Sequence, residues 1–399
     1  MEIMNILLVN DSYGDGGAST IMQRLAHELT SRRHEVNFAV GEGPSLDNLY
    51  TIHHFNGISY HLFRRLPFFN IDPFAYRDFE KLVKKIKPDV VHCHNLVSRL
   101  SLEIVKVALK YTIPCVITIH DYWPVCVNRS LLKGSWRKPS FEICNETNWR
   151  NCARECKWES MKKTPNITWG MSSRRRLLSS DGVALVAVSN YVKKVLQRFH
   201  YGSSKIKVIY NGVDVNRFTP RSNCSDKMIL FLGGNTKLKG IEHFLIMAKR
   251  IRRLTKRMRF VVTGERIAYA PDFIENPGRV PLSDLIGYYQ RALCTCIPSL
   301  WPEPLPTVAL ESMACARPVV AYAVGGLVEI VKDGKTGFLV RRGDIRKLTE
   351  VILWLGDNED AAKHMGLATR NHVKNRYTIQ RMCNSYERLY EELASQRPL

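Results

Sequence analysis

The sequence predicts an α/β fold built from two Rossmann-like domains. Three observations carry this reading. At 399 residues the chain is too long for one ordinary domain and fits two of about 150–200 residues each. Short apolar runs that read as buried strands alternate with stretches of helical period, the pattern of parallel sheets covered on both faces. The alternation occurs twice, on either side of a turn signal at Asn211-Gly212-Val213-Asp214.

Candidate strands in the first series are Asn5–Asn10, Val36–Val40, Val90–His92 and Cys115–Ile119. Between the first two, Ile21, Met22, Leu25, Ala26 and Leu29 recur at helical spacing within Ser19–Ser31. A second helix ends at Ile86, before Pro88. Residues 121–180 interrupt the pattern. They hold four of the 11 Cys, most of the Trp and the run Arg174-Arg175-Arg176, and read as an insertion. Alternation resumes with a strand at Val183–Val188 and a helix from Tyr191 to Phe199, with Ser189 placed to cap it. The second series has strands at 228–232, 259–263, 294–297 and 318–321, and the tail from Ile379 to Leu393 is an amphipathic helix. The expected domains are 1–208, 209–378 and a C-terminal helix at 379–399 that returns to the first domain.

Composition bounds the function only loosely. Hydrophobic residues make up 45% and charged residues 24%, ordinary values for a globular chain. Lys plus Arg outnumber Asp plus Glu by 59 to 37, a net charge of +22 that favours anionic partners. Ile6-Leu7-Leu8-Val9 is too short for a signal peptide and lacks a basic flank. No apolar run approaches the roughly 20 residues of a spanning helix. A cytoplasmic protein is expected, peripheral at the inner face of the cell membrane.

The most informative stretch runs from Ser299 through Glu303, Glu311 and Pro318 to Ala321. A strand ends at 298, Pro304 and Pro306 suit a loop and a first helical turn, and Val308 to Cys315 reads as a helix. Glu303 then lies before the helix and Glu311 about a turn and a half inside it. The free N–H groups of the helix start attract a diphosphate, and a carboxylate on either side can accept hydrogen bonds from ribose and sugar hydroxyls. Two unrelated helix-end glutamates are the plain alternative; the flanking prolines and the later Gly325-Gly326 favour the functional reading.

This segment resembles the donor-site signature of retaining family 4 glycosyltransferases, the glycosyl transferases group 1 of the GT-B fold. Other stretches agree in order and spacing: Tyr210 to Pro220 with the family's interdomain signature, Phe231 to Gly240 with its phosphate segment, and Gly325-Gly326, Glu329, Gly334 and Gly337-Phe338 with the block after the donor helix. The resemblance extends from Asn5 to about Val340. It implies two facing Rossmann-like domains, a site in the cleft between them, a nucleotide-sugar donor and retention of anomeric configuration. It implies that Glu311 holds the ribose, Glu303 contacts the transferring sugar and Lys239 neutralises the diphosphate leaving group. Gly233, Gly234, Leu305, Pro306 and Thr307 would line the donor. The family places an Arg where this chain has Gly234, which removes half of the usual cationic clamp; Lys237 is the candidate replacement. Ala316 stands where a Gly is common.

In the loop from Asn10 to Ser19, Gly16 and Gly17 are expected to let backbone approach the donor diphosphate. A plain tight turn is the bland reading. His120 follows the fourth strand, at the carboxyl end where ligands of such sheets bind. The resemblance makes it a sugar-positioning group, and a hydrogen-bonded structural His is the alternative. Cys126, Cys144, Cys152 and Cys156 could close a structural zinc site, with free thiols or disulfides as alternatives. No Asp-x-Asp is present, so no catalytic metal or other cofactor is expected.

From Arg150 to Tyr210, Lys and Arg far outnumber Glu155, Glu159 and Asp181, with Trp158 and Trp169 interleaved and Trp149 just before. This combination suits an anionic membrane surface. Single-stranded nucleic acid is a disfavoured partner, and a solvated charged face is the plain alternative. The reading is a transferase that uses a UDP- or GDP-sugar and a glycan or lipid-linked acceptor, in cell-surface polysaccharide or glycolipid synthesis. A nucleotide-sugar epimerase and a non-catalytic binder of nucleotide sugar or nucleic acid are the alternatives.

Overall fold

The computed structural model describes residues 2–14, 16–41, 50–55, 73–96, 100–134, 139–145, 147, 156, 164–221, 226–233 and 237–396. The chain forms two compact units, Met1–Tyr210 with Ile379–Leu399, and Asn211–Thr378.

Unit 1 runs β1 (Asn5–Asn10), α1 (Gly17–Ser31), β2 (Glu35–Val40), β3 (Thr51–His54), α2 (Pro73–Ile86), β4 (Val90–Cys93), α3 (Glu103–Lys110), β5 (Cys115–Ile119), β6 (Leu132–Gly134), β7 (Pro139–Ile143), α4 (Thr164–Leu178), β8 (Val183–Ala187), α5 (Asn190–Arg198) and β9 (Ile206–Val208). Its main sheet is parallel, in the order β3-β2-β1-β4-β5-β8-β9. The central strands are buried on both faces, which is why they read as unbroken apolar runs. Helix α1 buries Ile21, Met22, Leu25, Ala26 and Leu29. Ser189 caps α5 by accepting from the Val192 N–H at 3.2 Å. The described part of 121–180 holds the antiparallel β6–β7 hairpin and α4.

Unit 2 runs β10 (Met228–Gly233), a 3₁₀ turn at Lys237–Lys239, α6 (Ile241–Leu254), β11 (Arg259–Gly264), β12 (Ile274–Gly278), α7 (Leu282–Arg291), β13 (Ala292–Ile297), α8 (Thr307–Ala314), β14 (Val319–Tyr322), α9 (Leu327–Ile330), β15 (Gly337–Val340), α10 (Ile345–Asp357) and α11 (Glu359–Arg376). Its parallel sheet is ordered β12-β11-β10-β13-β14-β15. Both sheets reverse strand order beside their first strand, between β1 and β4 and between β10 and β13. The loops at the carboxyl ends part there and leave the crevice where ligands of such folds bind.

Besides the β6–β7 pair of the insertion, four strands were not expected from the sequence: β3, β9, β12 and β15. All four are sheet edges. An edge strand is covered on fewer sides, so β3 and β12 carry mixed sequences, and β12 even contains Pro277.

The last helix, α12 (Ile379–Ser395), belongs to unit 1 and buries Met382, Cys383, Tyr386, Leu389 and Tyr390 against α1, β1 and β2. Glu387 accepts from Arg32 and lies 3.1 Å from His34 Nε2, while His34 Nδ1 accepts from the Met4 N–H at 3.1 Å. His92 Nδ1 lies 2.6 Å from the Tyr390 hydroxyl and His92 Nε2 lies 2.7 Å from Thr118 Oγ1. The buried tyrosines of α12 thus end in hydrogen bonds rather than in apolar contact alone.

Helix α8 closes with a Schellman motif: the Arg317 N–H bonds Ser312 O at 3.0 Å and the Ala316 N–H bonds Met313 O at 3.1 Å. Arg370 of α11 donates to Ala314 O, to Phe218 O at 2.9 Å and to Val215 O at 3.1 Å, bringing a cation to the carbonyl end of α8. Ala316 takes the left-handed position with φ 58°, so its departure from Gly is not neutral for the backbone. Left-handed backbone costs a residue with a Cβ roughly 1–2 kcal/mol, and glycine returns about 0.4–1 kcal/mol through its looser unfolded chain. Ala316→Gly is expected to stabilise the protein by about 0.5–1 kcal/mol, seen as a higher urea midpoint at unchanged slope. A lower midpoint would mean that the methyl contacts outweigh the strain.

Burial, reinforced by nearby His120, pushes the His92 pKa down to about 3. The unfolded chain therefore binds a proton that the native chain refuses, and stability falls as pH drops from about 6.5 towards about 3. By pH 5 this one group costs roughly 2 kcal/mol. Urea unfolding at pH 7 and pH 5 should show that loss, and it should shrink in His92→Gln. An equal pH slope in the two proteins would refute the assignment.

Candidate functional site

In unit 2, Glu303 sits in the loop between β13 and α8 and is only 3% exposed. Its Oε1 accepts from Lys239 Nζ at 2.7 Å and from Ser299 Oγ at 2.5 Å. The Lys239 ammonium also stands over the Trp301 ring, 5.2 Å from its centroid. Close backbone approaches create this geometry. The Leu300 N–H bonds Leu238 O at 2.8 Å, and a Cβ on Gly240 would fall 1.9 Å from Pro298 O. The Gly326 N–H bonds Glu303 O at 2.6 Å, and a Cβ on Gly325 would fall 2.1 Å from that same oxygen. Asn211 Nδ2 donates to Leu305 O at 3.2 Å.

Buried Glu311 projects from the second turn of α8, and its Oε2 accepts from the Tyr289 hydroxyl at 2.9 Å. Leu305 and Pro306 are buried at the start of α8, Thr307 opens the helix, and Pro306 supplies no side-chain cap. The first N–H groups thus face the loop that carries Glu303. The stem of Lys239 lies 3.5 Å from where a Cβ on Gly233 would be. Gly234 lies outside the described residues. Lys237, the expected replacement for the missing Arg, stands 3.6 Å from Glu242 of α6 with both side chains well exposed.

In unit 1, Gly16 has φ 114° and precedes α1, and Gly14 has φ 125°. Ser19 Oγ accepts from the Gly14 N–H at 3.0 Å and Gln23 Nε2 donates to Gly14 O at 3.0 Å, so the loop folds back on the helix. A Cβ on Gly16 or Gly17 would meet nothing within 4 Å. The space beside both is open. His120 follows β5, its Nε2 lies 2.9 Å from His94 Nδ1, and burial pushes its pKa down to about 3. Next to it, Asp121 accepts from the Trp123 N–H at 2.7 Å and pairs with Arg129 at 2.5 Å.

The sequence reading assigned no site role to Ser299, Tyr289, Asn211 or His94. Ser299 and His94 stand beside elements that were singled out, but nothing in their spacing marks them. Tyr289 and Asn211 act from other elements, and only the fold brings them to Glu311 and Leu305.

Cys126, Cys144 and Cys156 are buried. Cys126 Sγ donates to Asn128 Oδ1 at 2.8 Å, and burial pushes its pKa up to about 12. Among the described residues no group of three or more His, Cys, Asp or Glu could hold a metal ion. Cys152 lies outside them, and the zinc expectation rests on it. Of the basic stretch, 150–155 and 157–163 lie outside the described residues, as do Trp149 and Trp158. Arg174 points inward rather than to solvent. It donates to Trp123 O at 2.5 Å, and burial lowers its pKa to about 10. Trp169 of α4 is 49% exposed. No helix among the described residues is long and apolar enough to cross a membrane.

Comparison with known proteins places this geometry. The family profile described as Glycosyltransferase Family 4 matches residues 15–217, and that described as Glycosyl transferases group 1 matches 213–372. An uncharacterized 42.6 kDa protein of the cps region of Klebsiella pneumoniae is 26% identical over 359 residues, 82% of this chain and 87% of that protein. Among solved structures, sucrose-phosphate synthase from Thermosynechococcus elongatus superposes with a TM-score of 0.73 at 15% identity, over 98% of this chain and 99% of that one. The Anabaena protein HepE in complex with UDP-glucose gives 0.70 at 15% identity, over 98% and 100%. These matches favour transfer over epimerisation or non-catalytic binding. The chain belongs to glycosyltransferase family 4 and is a glycosyltransferase of the GT-B fold.

Proposed function

We propose that the chain is a retaining glycosyltransferase that moves a sugar from a UDP- or GDP-sugar to a glycan or lipid-linked acceptor, in the assembly of a cell-surface polysaccharide or glycolipid. The observation that carries this reading is the Lys239–Glu303 pair at the uncapped start of α8, with Glu311 further along the same helix. Departure of a nucleoside diphosphate leaves negative charge on its phosphates, and groups aimed at that charge lower the barrier. In this reading the diphosphate lies at the helix start, beside Gly233, Gly234 and Leu305–Thr307. Lys239 transfers part of its hydrogen bonding from Glu303 to phosphate oxygen. Glu303 then accepts from the transferring sugar, and Glu311, oriented by Tyr289, accepts from the ribose. His120 positions the sugar, and Gly16 and Gly17 leave room for the diphosphate. Structures of HepE with UDP-glucose and with UDP and glucose, and the cps location of the Klebsiella relative, support the donor class and the type of product.

A thermal-shift screen with UDP, GDP, ADP and CDP tests the donor site. Ligand at about 100 times its Kd stabilises by roughly 2.7 kcal/mol, and Glu311→Ala should abolish the shift. Glu303→Gln should lower turnover by about 100- to 1,000-fold, measured on protein whose cooperative unfolding transition shows it to be folded. No shift with any diphosphate, or full activity in Glu303→Gln, would sink the assignment. Trp169, with Arg175 and Arg176 on the same helix, supports contact with an anionic membrane surface. Binding to anionic liposomes at low salt should weaken in Trp169→Ala. Failure of the parent protein to bind them would remove the membrane from the reading.

A further inference from the structure

At the carboxyl ends of β4 and β5, three histidines form a row. The His92 ring is anchored at both nitrogens, by the Tyr390 hydroxyl at 2.6 Å and by Thr118 Oγ1 at 2.7 Å, and Thr118 in turn lies 2.8 Å from the Tyr386 hydroxyl. His94 stacks on His92 with ring centroids 4.3 Å apart. His94 Nδ1 lies 2.9 Å from His120 Nε2, and those two ring planes are within 15° of parallel. The other His94 nitrogen, Nε2, is buried and has no hydrogen-bond partner among the described residues.

We propose that His94 is a positioning residue. Through its Nδ1 it holds His120 in the neutral tautomer that carries the proton on Nδ1, so that His120 offers the substrate a hydrogen-bond donor and not a base. The proposal deepens, and rests on, the reading of His120 as a contact to the transferring sugar.

The argument turns on the unpaired nitrogen. Burial lowers the pKa of His92 and His120 to about 3 and that of His94 well below its usual value, so all three rings are neutral. A neutral imidazole has one N–H and one lone pair, which leaves two arrangements. If His120 donates from Nε2, then His94 Nδ1 accepts and the His94 proton sits on Nε2, a buried donor with no acceptor. If His94 donates from Nδ1, then His94 Nε2 is a bare lone pair, His120 Nε2 accepts, and the His120 proton sits on Nδ1. Among backbone groups an orphaned buried N–H is rarer than an under-satisfied acceptor, and by the same preference the second arrangement is favoured. The pair then points the His120 N–H away from His94. His92 holds the His94 ring by its face, and α12 holds His92, so the orientation is set from behind by buried tyrosines.

Long-range ¹H–¹⁵N spectra of the full chain labelled in histidine test this directly, with His120 assigned by loss of its signals in His120→Asn. The wild-type spectrum near neutral pH should show His120 with its proton on Nδ1. In His94→Phe the His120 signals should move to the averaged tautomer pattern of free imidazole. In His94→Asn, whose amide can donate from near the place of Nδ1, the wild-type pattern should return. Turnover should fall about 10- to 100-fold in His94→Phe, with donor KM within about twofold, and recover in His94→Asn. A wild-type His120 protonated on Nε2 overturns the proposal, and that spectrum decides even if His94→Phe does not fold. An unchanged His120 pattern in a folded His94→Phe overturns it too. If the tautomer moves while turnover does not, His94 still controls His120, and what falls is the reading of His120 as a sugar contact.

Discussion

The buried carboxylate of Glu303 is the constraint on which unit 2 is arranged. Taking a carboxylate out of water is costly unless a cation and further donors meet it. Here one oxygen receives both, Lys239 and Ser299, at 2.7 and 2.5 Å. Those partners come from the loops after β10 and β13, which are neighbours in the sheet only because its strand order reverses there. To bring the loops together the chain gives up side chains at Gly240, Gly325 and Gly326, where a Cβ would overlap backbone oxygen or nitrogen. The glycines, the lysine and the glutamate are one device. Replacing any glycine would open the loop before it touched the charge.

Unit 1 solves a related problem without charge. Its row of polar rings is neutral, and all but one of the nitrogens of His92 and His94 are met by another ring or by hydroxyls from α12 and β5. This explains why a C-terminal helix distant in sequence belongs to unit 1. Met382, Leu389 and their neighbours supply apolar burial, while Tyr390 and Tyr386 supply partners that the strands alone do not provide. The helix is therefore both part of the core and a support for the histidine row.

The sequence made the central parallel strands legible because strands buried on both faces must be apolar throughout, as Ile6–Val9 and Cys115–Ile119 are. It concealed the edge strands because their pairing is set by backbone and by neighbours, not by a pattern of their own. The helix start between Glu303 and Glu311 was readable from Pro304, Pro306 and the apolar run that follows. Partners were not: Tyr289 reaches Glu311 across 22 positions and Lys239 reaches Glu303 across 64. Periodicity describes one element at a time, and such contacts join two. Ala316 shows the same limit at short range. Substitution of Gly by Ala looks conservative as a letter, and its cost appears only with φ 58° in the closing turn of the helix.

The distribution of charge ties the two levels together. A net of +22 gives the chain a field that draws anionic ligands from a distance. In unit 2, however, the ammonium of Lys239 is already matched by Glu303, and in unit 1 the rings of His92, His94 and His120 are neutral. Attraction at long range and recognition at short range are thus carried by different groups. A bare cationic pocket would hold any phosphate. A cation already paired with a carboxylate rewards a ligand that can satisfy both partners at once, one with phosphate oxygens for the lysine and hydroxyls for the glutamate. In the proposed reading a nucleoside diphosphate sugar meets that demand, with phosphate oxygens for Lys239 and hydroxyls for Glu303, and free phosphate does not.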